Sequence, residues 1–216
     1  EKFYKENQNS KNYEKFKFEK LEINDVYFKY PENSKWVING LNLSLKENEM
    51  IGISGITGSG KTTLIDIITG LLIPEKGEFV LNGNKENKLP DYWIRNIAYI
   101  PQNIALINDS IEKNITFGDD ENKINNANLK NVIANSQLEK FVSSLPEGLN
   151  TSIGERGLKI SGGEKQRIGI ARALFSNKKI LILDEATNAL DKVTEDLILK
   201  FLKNEKNNKT IIMISH

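Results

Sequence analysis

The stretch from Met50 to Thr69 restricts this chain to a small set of folds. Met50-Ile51-Gly52-Ile53 is a short, mostly apolar run of strand character, and from Thr63 to Thr69 the residues Leu64, Ile67 and Ile68 recur on one side of a helix. Between them, Gly55-Ile56-Thr57-Gly58-Ser59-Gly60-Lys61-Thr62 fits the spacing G-x-x-x-x-G-K-[ST] at every fixed position. Glycines at these positions let several backbone N–H groups converge on an anion, an approach that bulkier residues would block. The loop therefore reads as a phosphate cradle made of Gly55, Thr57, Gly58, Ser59, Gly60 and Thr63. Lys61 is expected to reach the β- and γ-phosphates of a nucleotide, and the Thr62 hydroxyl to bind Mg²⁺.

Two further segments narrow the chemistry. Ile180-Leu181-Ile182-Leu183 is an apolar run of strand length that ends in Asp184-Glu185, which suits a strand buried on both faces of a parallel sheet. Ligands of open α/β sheets lie at the carboxyl ends of the strands, so both acids are expected beside the phosphates. Asp184 then reads as the Mg²⁺ carboxylate, and Glu185 as the general base that orients and deprotonates water. Upstream, Ser161 and Glu164 stand three residues apart, as N-cap and N3 of a capping box, ahead of a helix over Gln166 to Leu174. Gly162 and Gly163 would let an anion approach the amides at that helix's positive end.

With these elements in this order, the chain from Phe16 to His216 resembles the nucleotide-binding domain of ATP-binding cassette (ABC) transporters. Ser161-Gly162-Gly163-Glu164-Lys165-Gln166-Arg167 is similar to the family's signature motif, a second phosphate-binding surface offered to ATP held by a neighbouring copy. The resemblance implies ATP and Mg²⁺ as cofactors, ATP hydrolysis, and a head-to-tail homodimer that sandwiches ATP. It implies that Tyr30 stacks on adenine, that Gln102 meets Mg²⁺ and the attacking water, and that His216 contacts the γ-phosphate. Ala189-Leu190-Asp191 is similar to the segment that crosses the dimer interface, which places Asp191 among the nucleotide-binding residues with Ser161, Gly162, Gly163 and Glu164. Thr151-Ser152-Ile153-Gly154-Glu155-Arg156-Gly157 resembles a loop typical of exporters, where the Glu-Arg pair touches the membrane domain. Ile100 to Ile104 through Asp109 to Ile111 and Asn114 to Gly118, with Arg167 to Arg172, resembles exporters of the lipid-linked oligosaccharide flippase type, although peptide and lipid exporters carry similar words. There are mild departures. Glu164 stands where glutamine is commoner, Ile160 where leucine is, and Asn188 where serine is.

The expected fold class is α/β: a P-loop NTPase with a mainly parallel core sheet, an antiparallel β subdomain and a helical signature subdomain over about 103–169. Phe16-Lys17-Phe18 and Leu21-Glu22-Ile23 alternate in strand fashion and should open the antiparallel part, which runs through Leu41 to Leu45. Residues 1–15, rich in Lys, Glu and Asn without a sustained period, read as a linker from an upstream membrane domain, with the ATPase domain over 16–216. The resemblance implies a further strand and helices after His216. Thirty Lys and Arg against 29 Asp and Glu leave no dedicated nucleic-acid surface, so none is expected as a partner. No cysteine is present for a disulfide or a thiolate site, and no apolar run is long enough to span a membrane. The transmembrane domain of an exporter is the partner expected, with this part at the cytoplasmic face of the membrane. A soluble ABC ATPase of DNA repair or the ribosome is the alternative. Repair ATPases insert a long coiled coil, whereas here 58 residues without heptads separate Gln102 from Ser161.

Overall fold

A computed structural model describes residues 17–32, 34–118, 124–154, 159–205 and 208–215. It divides into two compact units, one comprising the residues up to Glu47 with Gly58–Asn96, the other Asn48–Thr57 with the residues from Ile97 onward.

The first unit holds an antiparallel sheet of β1 (Lys20–Phe28), β2 (Ile38–Lys46), β4 (Lys76–Leu81) and β5 (Asn84–Glu86), in the order β2-β1-β4-β5. β1 and β2 cover Leu21 to Ile23 and Leu41 to Leu45, where alternation predicts strands, whereas Lys17 and Phe18 precede β1 and belong to no strand. Alternate residues Leu21, Ile23, Val26 and Phe28 of β1 are buried, with one irregularity near Asp25, whose φ is 49°. β4 and β5 were not anticipated. They form a hairpin around Asn82-Gly83, where both residues have positive φ (51° and 81°), the geometry of a two-residue turn matched to strand twist. Helix α1 (Lys61–Ile68) buries Leu64, Ile65, Ile67 and Ile68. Short helix α2 (Asp91–Ile94) buries Trp93, whose Nε1 donates to the Ile68 carbonyl at 2.8 Å and whose ring meets Phe18 edge-on at 5.2 Å.

The second unit is built on a parallel sheet of β3 (Met50–Ser54), β6 (Ile97–Ile100), β9 (Ile180–Asp184) and β10 (Thr210–Ser215), in the order β3-β10-β9-β6. Ile180 to Leu183 are buried throughout, as a strand covered on both faces requires. The helical stretch contains α3 (Ile111–Ile115), α4 (Asn126–Asn135), α5 (Glu139–Ser144) and α6 (Gly162–Phe175), with a two-stranded ribbon, β7 (Asp109–Ser110) and β8 (Ser152–Ile153), that the sequence did not signal. Helix α7 (Lys192–Glu205) precedes β10. Ile111, Ile115, Leu129, Ile168 and Ile170 share one apolar core with Leu181, Leu183 and Ile211 of the sheet. Among the described residues, no helix is long and apolar enough to cross a membrane.

Candidate functional site

The carboxyl edge of the parallel sheet collects the functional residues of the second unit. Register fixes this. Ser54 of β3 pairs with Ser215 of β10, Ile214 of β10 with Asp184 of β9, and Leu183 of β9 with Ile100 of β6. Gly55, Gln102, Asp184 and Glu185 therefore all follow or close strands at the same end. His216 follows Ser215 but lies outside the described residues, as do Glu155, Arg156 and Gly157 of the exporter-like loop.

Glu185 is the most constrained residue of this edge. It is only 7% exposed and has a φ of 50°, left-handed backbone that a non-glycine residue adopts at a cost of about 1–3 kcal/mol. Its N–H donates to the Ile214 carbonyl at 3.2 Å, and its own carbonyl accepts from the Asn188 N–H at 3.2 Å. Gln102 Nε2 donates to Glu185 Oε2 at 2.8 Å, and Asn188 Nδ2 donates to the same oxygen at 2.9 Å. Buried Gln166 of α6 donates to the Glu185 carbonyl at 3.5 Å and accepts from the Ala189 N–H at 2.9 Å. Gln102 and Glu185, expected near each other, are in direct contact.

Asp184 has a partner that sequence reading missed. Tyr99 of β6 is opposite Ile182 in the parallel register. Residues two apart on a strand share a face, so its side chain leans toward Asp184, and its Oη donates to Asp184 Oδ2 at 3.0 Å. In the sequence Asn188 stands out only as a departure from a family pattern, and Gln166 only as part of the signature-like segment. Their roles depend on a turn at the end of β9 that no spacing rule encodes.

Ser161 caps α6 as expected. The Glu164 N–H donates to Ser161 Oγ at 3.3 Å, while Glu164 Oε2 accepts from the Ser161 N–H at 2.6 Å and from Ser161 Oγ at 2.8 Å, a complete capping box. Gly163 has a structural reason to lack a side chain as well. A Cβ there would lie 3.0 Å from the Ala189 carbonyl oxygen, so the segment leading to Asp191 sits against the first turn of α6. Asp191 itself accepts from the Thr194 N–H at 3.0 Å and the Thr194 hydroxyl at 2.7 Å, at the start of α7. The Thr194 hydroxyl first, then its amide, holds the Asp191 carboxyl below the usual carboxylate range.

In the first unit, Gly60 sits at the N-cap of α1 with a φ of 90°, a conformation natural to glycine, and Lys61, Thr62 and Thr63 form the first turn. Tyr30 meets Phe28 edge-on at 5.1 Å, and its hydroxyl shares a hydrogen bond of 3.2 Å with Thr63 Oγ1, which orients the aromatic ring. Ile56 to Ser59 are exposed, with Gly58 at a φ of 81°.

A strand, glycine loop and helix carrying this lysine, with paired acids closing a parallel strand, define a P-loop nucleotide-binding α/β fold. The ABC transporter family model matches residues 38–188, and the chain belongs to that family. It is 38% identical over 200 residues to the ATP-dependent lipid A-core flippase of Alkalilimnicola ehrlichii, covering 91% of this chain and 33% of that protein. It is 41% identical over 199 residues to the multidrug resistance-like ATP-binding protein MdlA of Buchnera aphidicola, covering 91% and 34%. A bacterial Atm1-family ABC exporter solved with ATP bound superposes with a TM-score of 0.83 at 32% identity, over 92% of this chain and 34% of that one. The chain thus spans about a third of the length of the relatives it matches.

Proposed function

We propose that this chain is the ATP-hydrolysing engine of a membrane exporter, working as one of two copies that close on ATP. The observation that carries the reading is Glu185: a nearly buried carboxylate directly after Asp184, held by two side-chain amides in a backbone conformation that has no folding advantage. Such a group can orient and deprotonate a water aimed at the γ-phosphate. In this reading Gly55 to Thr63 cradle the phosphates, Lys61 neutralises them, Tyr30 stacks on adenine and His216 contacts the γ-phosphate. The proposed metal donors Thr62, Gln102 and Asp184 offer only oxygen, which suits Mg²⁺. When bound, Mg²⁺ would neutralise charge developing on the phosphates.

The amide-rich start of α6, with Ser161, Gly162, Gly163 and Glu164, would receive the nucleotide of the second copy, near Asp191. The membrane-spanning partner would meet the chain around Gln102 and the loop 151–157, with the domain at the cytoplasmic face. Among the relatives, one is named for lipid A-core and another for leukotoxin, so the same engine serves different cargoes. Glu185→Gln tests the central claim. ATP binding should persist while turnover falls at least ~100-fold, the lower range for a positioned general base. Near-normal turnover would move the base elsewhere.

A further inference from the structure

We propose that Asn188 is a positioning residue for the carboxylate of Glu185, a role that rests on Glu185 being the general base. Glu185 and Asn188 bound one turn, closed by the main-chain bond from the Asn188 N–H to the Glu185 carbonyl at 3.2 Å. The Asn188 side chain folds back over that turn and gives its Nδ2 to Glu185 Oε2 at 2.9 Å. Asn188 thus grips the glutamate at both its carbonyl and its carboxylate. Gln102 reaches the same oxygen at 2.8 Å, but from the separate segment that follows β6. The two donors differ in kind. Asn188 travels with the base because they share a turn, whereas Gln102 stays only while its own segment stays.

Two N–H groups on one oxygen fix the tilt of the carboxylate plane, which a Glu side chain with three rotatable torsions would otherwise sample freely. A base must lie within hydrogen-bond reach of the proton it takes, so fixed tilt should appear in kcat rather than in ATP affinity. Asn188 is itself exposed, so its amide has no packing duty that would explain the contact. The prediction concerns the side-chain amide alone.

The test compares Asn188→Leu and Asn188→Asp in the full-length protein in lipid, alone and combined with Glu185→Gln. Leu is nearly isosteric without a donor, and Asp replaces the donor by a repelling carboxylate. We expect kcat to fall about tenfold for Asn188→Leu, the scale of one lost hydrogen bond to a charged group, and further for Asn188→Asp. KM for ATP and the thermal midpoint should stay near their unmodified values. In the Glu185→Gln background neither change should lower the residual rate further, because residues acting through one group are non-additive. A normal kcat for Asn188→Leu beside an inactive Glu185→Gln would overturn this inference alone. So would a loss that is confined to KM or stability, or one undiminished in the double variant. Near-normal turnover of Glu185→Gln would instead remove the base reading, and the inference with it.

Discussion

Tyr99 and Asp184 show what one side chain adds to a strand end. The Tyr99 hydroxyl donates to Asp184 Oδ2 from a residue that is 37% exposed, so the bond is accessible to water yet directed by the β6–β9 register. A hydroxyl on one carboxylate oxygen sets how the other presents itself to a cation. Hydrogen bonds to charged groups contribute about 1.5–3 kcal/mol when buried and less at an open site, so Tyr99→Phe should raise the Mg²⁺ concentration that half-supports ATP binding by about threefold to tenfold. Equilibrium binding of ATP across a Mg²⁺ titration checks this, and affinity without Mg²⁺ should not change. Asp184 and Glu185 were legible because an apolar strand ends in them, and the loop at Gly55 to Thr62 because its spacing is fixed. Tyr99 was illegible for a physical reason. Its function depends on which strand lies beside β9, and pairing between strands more than 80 residues apart is set by the whole sheet.

At the level of elements, α6 is tied to the segment 105–117 by a partly buried polar network. Asn114, fully buried, donates through Nδ2 to the carbonyls of Ile107 and Ser110, both at 3.0 Å, and accepts from the Ile107 N–H at 2.9 Å. Arg172 of α6 donates through Nε to the Asn114 carbonyl at 2.7 Å and through Nη1 to the Ala105 carbonyl at 3.0 Å. Its guanidinium also lies over the ring of Phe117, 5.6 Å from the centroid. Asn114→Leu keeps the volume but strands several backbone groups, each costing about 1–3 kcal/mol when left unpaired in the interior. The urea midpoint of this domain should therefore drop by an amount worth about 3 kcal/mol, with an unchanged slope if the unfolded state is unaffected. An unaltered midpoint would mean that water replaces the amide. Periodicity exposed α6 and its capping box, since both are local. It did not expose Asn114, because an asparagine among other polar residues reads as a connection until its partners are known. The β4–β5 hairpin was missed differently. Asn82-Gly83 is a local turn signal, but the pairing of β4 with β1 joins residues far apart in the chain, such as Leu21 and Leu81, and is set by the whole sheet.

For the whole molecule, a proposed site shared between two copies makes sharper demands than either half alone. The chain carries a net charge of +1, so two copies meet with little long-range repulsion, and in the proposed dimer the nucleotide lies between them. In that arrangement Lys61 serves the ATP of its own chain, whereas the start of α6 serves the partner's. The two motifs should then fail in different ways. Lys61→Ala removes a cation from the phosphates and should weaken ATP binding to the single chain. Ser161→Arg fills the glycine-bordered start of α6 with a long side chain and breaks the capping box, whose loss costs the helix only about 0.5–2 kcal/mol. It should leave single-chain ATP affinity nearly intact while abolishing turnover and the ATP-dependent dimer. Mixing the two variants supplies the decisive measurement. A mixed dimer has one composite site with both motifs intact and one with both damaged, so part of the activity should return on mixing. Analytical ultracentrifugation with ATP, on variants that also carry Glu185→Gln to slow hydrolysis, reads dimer formation directly. If Ser161→Arg weakens single-chain ATP binding as much as Lys61→Ala does, and mixing restores nothing, α6 serves its own chain's nucleotide and the shared-site reading falls.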